Sequence, residues 1–138
     1  MFLYREESDK ILGAFFEINK HLPRGLLEAV YEKAMVYELR QCGLIPDEQK
    51  QLIVKYKGMN IGYYKPDIVV NDKIILELKA TKHIAPEHKA QLLNYLAITG
   101  IKVGYILNFS GDRDYCRIVG ATDKPCGVRT VANPKTCC

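Results

Sequence analysis

Residues 66–79 read Pro-Asp-Ile-Val-Val-Asn-Asp-Lys-Ile-Ile-Leu-Glu-Leu-Lys, and this stretch decides the fold. Apolar, largely β-branched runs lie on both sides of the polar residues 71–73, which is typical of two strands joined by a tight turn. If the turn has three residues, Asp67 lies directly opposite Glu77. If it has two, Asp67 pairs with Leu76 and Glu77 points to the other face of the sheet.

The three-residue register would create a metal site. Two adjacent carboxylates, Asp67 and Glu77, repel each other unless a cation neutralises them, and oxygen ligands suit Mg²⁺ or Mn²⁺. Lys79 shares their face because side chains alternate along a strand. A metal and a lysine at one place suit phosphodiester hydrolysis. The spacing alone is a weak pattern, because an ordinary hairpin with a solvent-exposed Glu-Lys pair also produces it.

Length and composition indicate one globular domain with a conventional core. The chain has 138 residues, 48% of them hydrophobic, with nine tyrosines and no low-complexity tract. A chain of this size buries about two thirds of its unfolded surface without needing a metal or disulfides. The net charge of +4 is compatible with a polyanionic partner but does not require one.

Neither a membrane segment nor a disulfide framework is expected. No apolar run is long enough for a membrane span, and acidic residues interrupt the N-terminal region before a signal-peptide core could form. The cysteines lack CxxC spacing, so we expect reduced thiols and a cytoplasmic protein. They are Cys42, Cys116, Cys126, Cys137 and Cys138.

Two helices are predicted before the first strand. Ser8 is expected to cap a helix that ends near His21, and a second helix is expected over residues 26–41. Glu28 lies in the first turn of the second helix, where the helix dipole favours a carboxylate, and Glu32 follows one turn later. Helical spacing predicts that the second helix buries Leu27, Val30, Tyr31, Ala34 and Tyr37.

The rest of the chain alternates between strands and one more helix. Residues 51–64 read as a second hairpin, so three antiparallel strands are expected in sequence up to the turn at 71–73. A helix follows from Pro86 to Thr99, then a strand over 102–109 and a short strand over 116–119.

One face of the third helix carries a polar stripe. His88, Gln91 and Tyr95 are spaced at i, i+3 and i+7, beside the apolar face. His88 could contact phosphate, and Tyr95 could stack on a base. Gln91 could hydrogen-bond a base or phosphate, or orient a site residue. The boundary stripe of an ordinary packed helix would have the same spacing.

Taken in order, these motifs resemble the PD-(D/E)xK nuclease superfamily, in its Gln-x-x-x-Tyr branch, and more closely the GxxExxxR family assigned to it. The resemblance covers roughly residues 8–120. Its matches are Gly25–Glu32, Tyr37–Arg40, Gly43-Leu44, Tyr56–Gly58, Ile61-Gly62, Pro66-Asp67, Glu77–Ala80, His88, Gln91–Leu96, Thr99-Gly100, Gly104 and Asn108-Phe109.

The resemblance implies an α/β protein with a restriction-endonuclease-like core, in which helices flank a mixed central sheet in the order α-α-β-β-β-α-β. It implies that Asp67 and Glu77 bind the metal with help from Glu28, and that Lys79 stabilises charge. The chain departs from the family pattern at Glu32, where an arginine is expected.

His88, Gln91 and Tyr95 would complete the site that the resemblance implies. We therefore expect residues 1–122 to form a single domain, with a C-terminal tail at 123–138, that hydrolyses DNA, or alternatively RNA, with Mg²⁺ or Mn²⁺. Two alternatives stay open. The fold could serve as a non-catalytic nucleic-acid-binding or protein-interaction module, or the chain could be a homodimer with Tyr63 and Tyr64 at its interface.

Overall fold

Residues 2–120 are described by a computed structural model, so the expected boundary at residue 122 and the tail at 123–138 lie outside the described residues. The elements are α1 (Arg5–His21), α2 (Glu28–Gln41), β1 (Pro46–Asp47), β2 (Leu52–Tyr56), β3 (Met59–Tyr64), β4 (Ile68–Val70), β5 (Ile74–Lys79), α3 (Pro86–Thr99), β6 (Val103–Asn108) and β7 (Tyr115–Val119).

Five of the strands form a mixed sheet in the order β1-β4-β5-β6-β7. Only β5 and β6 are parallel, and α3 forms the crossover between them. Helices α1 and α2 pack on one face, whereas α3 and the β2–β3 hairpin pack on the other. The predicted mixed sheet flanked by helices is therefore confirmed.

The register of the β4–β5 hairpin is the one with a three-residue turn. Val70 pairs with Ile74, and Ile68 pairs with Leu76. The turn contains Asn71 and Asp72 at positive φ, a conformation that Asn and Asp tolerate better than most residues. Continuing this register by one residue places Asp67 opposite Glu77.

Alternation along β5 decides which face receives the site. Leu76 and Leu78 pack against the α1–α2 side, whereas Ile75 packs against the α3 side. Glu77 and Lys79 share the face of Ile75 because side chains alternate with a period of two. The charged residues therefore face α3, at the end of the sheet where β5 finishes.

The predicted cap of α1 was wrong. The helix begins at Arg5, and Ser8 is a buried residue within it whose N–H donates to the Tyr4 carbonyl. Glu6 and Glu7 occupy the first turn, where carboxylates are favoured by the helix dipole. Three charged residues that form helices well thus extend the helix ahead of the serine.

The predicted buried face of α2 was partly wrong. Tyr31 is buried and Ala34 is partly buried. The other three residues predicted to be buried lie at the surface: Leu27, Val30 and Tyr37 are 76%, 43% and 59% exposed. The buried face instead runs through Met35 and Leu39, at i+4 and i+8 from Tyr31. Apolar residues occur on several sides of this helix, so periodicity alone did not determine its rotation.

The three antiparallel strands expected in sequence do not form one sheet. β2 and β3 pair with each other in a separate two-stranded sheet, while β4 pairs with β1 and β5. The short strand β1 was not predicted, and it occupies the edge of β4 that β3 would have used. Helix α3, β6 and β7 lie where they were predicted, to within a residue.

The two tyrosines expected at a dimer interface differ in exposure. Tyr63 is 60% exposed. Tyr64 is only 8% exposed and belongs to the core cluster on the α3 side of the sheet. Tyr64 is therefore not available for such an interface. In residues 2–120, no helix has both the length and the apolar character that a membrane crossing requires.

Candidate active site

Asp67 and Glu77 meet at the end of the main sheet. The backbone N–H of Asp67 donates to Oε1 of Glu77 at 3.1 Å, and the N–H of Leu78 donates to Oδ2 of Asp67 at 2.8 Å. Each carboxylate is thus held by the backbone of the opposite strand. The hairpin register brings the two predicted metal ligands together.

The environment disfavours the ionised form of both carboxyl groups. Burial raises the pKa of Glu77 to about 7, and the nearby charge of Asp67 adds to the rise. Burial also raises the pKa of Asp67, and the charge of Glu28 raises it further. Lys79 opposes both shifts. The site therefore carries an excess of negative charge that one lysine does not balance.

Glu28 reaches this place from α2, on the other side of the sheet. Its Oε2 accepts a hydrogen bond from the N–H of Ala80, at 3.3 Å, just beyond the end of β5. The turn before α2 sets this position: Gly25, at positive φ, donates its N–H to Oγ of Ser110, and the Tyr31 hydroxyl donates to the Pro23 carbonyl. Glu28 is therefore fixed beside Asp67 at the first residue of its helix.

Lys79, His88 and Gln91 line a small cleft together with Glu77. Nδ1 of His88 accepts a hydrogen bond from the N–H of Ala85 at 3.1 Å, so this ring also holds the first turn of α3. Tyr95, one turn beyond Gln91, does not line the cleft. It lies next to it and stacks on Tyr64, with 3.7 Å between ring centroids and 10° between ring planes.

In a comparison with protein families, the profile of the PD-(D/E)XK nuclease superfamily matches residues 5–118 of this chain. This chain belongs to the PD-(D/E)XK nuclease superfamily. No curated protein and no solved structure gives a match. Nucleases of this superfamily act on nucleic acid and generally use divalent metal ions.

In this PD-(D/E)XK protein, the residues that match the motif in the superfamily's name are Pro66-Asp67 and Glu77-Leu78-Lys79. Pro66 donates no backbone hydrogen bond, and Asp67 directly precedes β4. The carboxylate of Asp67 is thus placed at a strand start, where its backbone N–H is available to Glu77.

Tyr64 is a site residue that the sequence analysis missed. It hydrogen-bonds the Glu77 carboxylate, and this bond lowers the pKa of Glu77. Burial and the charge of Glu77 raise the pKa of Tyr64 far above its ordinary value, so its hydroxyl stays a donor. Alternation along β3 gave no signal for Tyr64, because it shares its face with Asn60 and Gly62, and nothing in the sequence indicated its partner.

A second missed feature is a carboxyl pair next to the site. Burial raises the pKa of Glu32 to about 7, and a hydrogen bond to Glu48 and the charge of Asp67 add to the rise. The same bond lowers the pKa of Glu48, which lies 3.5 Å from Nζ of Lys33. The hydrogen bond between the two carboxyl groups therefore favours the protonated form of Glu32 and the ionised form of Glu48.

The donor set fits a hard divalent cation. In residues 2–120, no three His, Cys, Asp or Glu side chains are already grouped to hold a metal. Mg²⁺, however, is usually held by one or two carboxylates and completes its shell with water and substrate phosphates. Asp67 and Glu77 supply two partly buried carboxylates whose mutual repulsion a cation would relieve.

Proposed function

We propose that this chain is a metal-dependent nuclease that hydrolyses phosphodiester bonds in DNA, with RNA as the alternative substrate. The observation that carries the proposal is the contact between Asp67 and Glu77 at the end of β5, with Lys79 on the same face. We further assign the chain to the GxxExxxR family, on the match of Gly25 and Glu28.

Asp67 and Glu77 would hold Mg²⁺ or Mn²⁺, with Glu28 as an additional acidic group. Such an ion, when bound, polarises a phosphoryl oxygen and makes bound water more acidic. Lys79 places a positive charge beside the phosphate and stabilises the negative charge that develops there. His88 and Gln91 face the same cleft and would position the substrate backbone.

We place this activity in a single domain over residues 1–122 and in the cytoplasm. Cys42 is partly exposed and is a free thiol, as expected in a reducing compartment, and Cys116 is buried. Cys126, Cys137 and Cys138 lie outside the described residues.

The test is cleavage of labelled DNA and RNA, single-stranded and duplex, by the purified protein. We expect cleavage with Mg²⁺ or Mn²⁺ and none with EDTA, because without the cation both carboxylates repel the phosphate. Salt-sensitive binding without cleavage under any of these conditions would favour the non-catalytic binding module instead.

Tyr64→Phe tests how the site is tuned. The hydrogen bond from Tyr64 lowers the pKa of Glu77, so its loss should raise that pKa and shift the acidic limb of the pH–activity profile to higher pH. Phenylalanine keeps the stack on Tyr95. Tyr37→Phe, at an exposed position on α2, is the matched control. A profile that does not move would show that this bond does not tune Glu77.

A further inference from the structure

A larger cleft opens beside the candidate site, between the β2–β3 hairpin and α3. Its volume is about 370 Å³, within the range of roughly 300–1,000 Å³ in which small organic groups bind. Ile61, Gly62 and Tyr63 line it from the hairpin, and Gln91, Tyr95 and Ile98 line it from the helix. Gln91 also lines the cleft that contains Glu77 and Lys79, so the two clefts adjoin.

The chemistry of this larger cleft suits a nucleobase. Tyr63 and Tyr95 border the cleft, and the Tyr95 ring, which stacks on Tyr64 through one face, has one face left on which a base can stack. Ile61 and Ile98 provide apolar walls, and the Gln91 amide can both donate and accept hydrogen bonds at a base edge. A base within a duplex is already stacked and paired, so it cannot enter without being unpaired. An unpaired base can enter directly.

The hairpin that forms one wall and the residues that flank it are positively charged. Residues 49–66 contain four lysines, Lys50, Lys55, Lys57 and Lys65, and no acidic residue. One of these, Lys50, is paired with Asp72. Positive charge on a strand pair beside an aromatic cleft favours a polyanion whose bases can turn inward.

Gly62 leaves this cleft open. It lies in β3 opposite Val54, next to a bulge in the hairpin, and a Cβ there would meet no atom within 4 Å. Its φ is not in the positive range, so a side chain would not strain the backbone. Glycine inside a strand otherwise weakens it, and such a position often marks the close approach of a ligand.

We propose that the cleft between the β2–β3 hairpin and α3 binds an unpaired base of a nucleic acid whose backbone crosses the candidate site, so that single-stranded segments are the preferred substrate. This inference rests on the proposed nuclease function. It names the class of substrate that the same site takes.

The test is binding of short fluorescent oligonucleotides without divalent ions, measured by anisotropy. We expect the protein to bind single strands more tightly than a duplex of the same sequence. Gly62→Val, which places a branched side chain in the cleft while suiting a strand, should weaken single-strand binding by about 10-fold and leave duplex binding unchanged. Tyr63→Ala should weaken it to a similar degree.

Tyr56→Ala is the matched control, because Tyr56 lies on the same hairpin with 58% exposure, against 60% for Tyr63, but does not line the cleft. Thermal melting of each variant verifies that it is folded. Comparing DNA with RNA single strands identifies which of them binds. The proposal is overturned if folded Gly62→Val binds single strands as well as the wild type does, if duplex binds as tightly, or if neither binds.

The two proposals can fail separately. Cleft-dependent binding of single strands without cleavage in Mg²⁺ or Mn²⁺ would contradict the nuclease function but support the cleft. Metal-dependent cleavage that Gly62→Val leaves unchanged would support the nuclease and contradict the cleft. A sizing column gives a further test. If the wild type runs as a dimer and Gly62→Val disrupts that dimer, the cleft is a self-association surface, and the proposal that it binds a base is overturned.

Discussion

Asp67→Asn should lower kcat/KM for nucleic acid cleavage by about 1,000-fold or more, since a metal ligand that stabilises transition-state charge contributes several kcal/mol. Asparagine keeps an oxygen that can accept the hydrogen bond from the Leu78 N–H, which is 2.8 Å long in the wild type. The change therefore removes a charge while largely preserving the local fold. Steady-state cleavage of a labelled oligonucleotide in Mn²⁺ measures the effect.

Lys79→Ala should cause a comparable loss of cleavage, because its ammonium is the positive group that shares a cleft with Glu77. The control is Lys102→Ala, an exposed lysine just before β6, which should retain full activity. Full cleavage by folded Asp67→Asn or Lys79→Ala would show that the nuclease chemistry lies elsewhere in the chain.

Glu77→Gln should abolish cleavage and yet stabilise the metal-free protein at pH 8. The pKa of Glu77 is about 7 in the folded protein, above its ordinary value of 4.5. The protonated form is therefore favoured by folding, and the stability it contributes is full below pH 4.5 and is lost as pH rises through 7. Glutamine mimics the protonated form at every pH. We expect a gain on the order of 1–3 kcal/mol at pH 8 and little gain at pH 4.5.

Thermal melting of the wild type and of Glu77→Gln at the two pH values, with and without Mn²⁺, measures the expected gain in stability. Mn²⁺ should raise the melting temperature of the wild type at pH 8, because it binds the ionised pair, and should do so much less in Glu77→Gln. Glu6→Gln, in an exposed pair with Lys10 on α1, should change little. A Glu77→Gln variant less stable than the wild type at pH 8 would contradict the account of a repulsive carboxylate pair.

The hairpin at residues 66–79 was the part of the site that sequence could predict. The sequence pattern of this hairpin allows two registers. The register in the structure has a three-residue turn, Asn71–Lys73, and it places Asp67 opposite Glu77. Local patterns of this kind are encoded by neighbouring residues, so they can be interpreted without knowing the tertiary structure.

Contacts between distant segments could not be predicted in the same way. The rotation of α2 depends on how Tyr31 and Met35 pack against the sheet, and α2 has apolar residues on several sides. Strand β1 has only two residues, and it forms because it pairs with the edge of β4. The pairing of Tyr64 with Glu77 depends on where the separate β2–β3 hairpin docks.

We expect the paired carboxylates to destabilise the metal-free protein. The backbone holds each of them with one hydrogen bond across the hairpin, while burial and mutual repulsion oppose their ionisation. Groups that carry perturbed pKa values in a cleft are typical of functional sites rather than of stable cores.

The most direct measurement is a crystal structure of the protein soaked in Mn²⁺, with the ion located by its anomalous scattering. We predict one ion in direct contact with an oxygen of Asp67 and an oxygen of Glu77. An ion bound elsewhere in active protein, with neither carboxylate touching it, would contradict the assignment of this pair as the metal ligands.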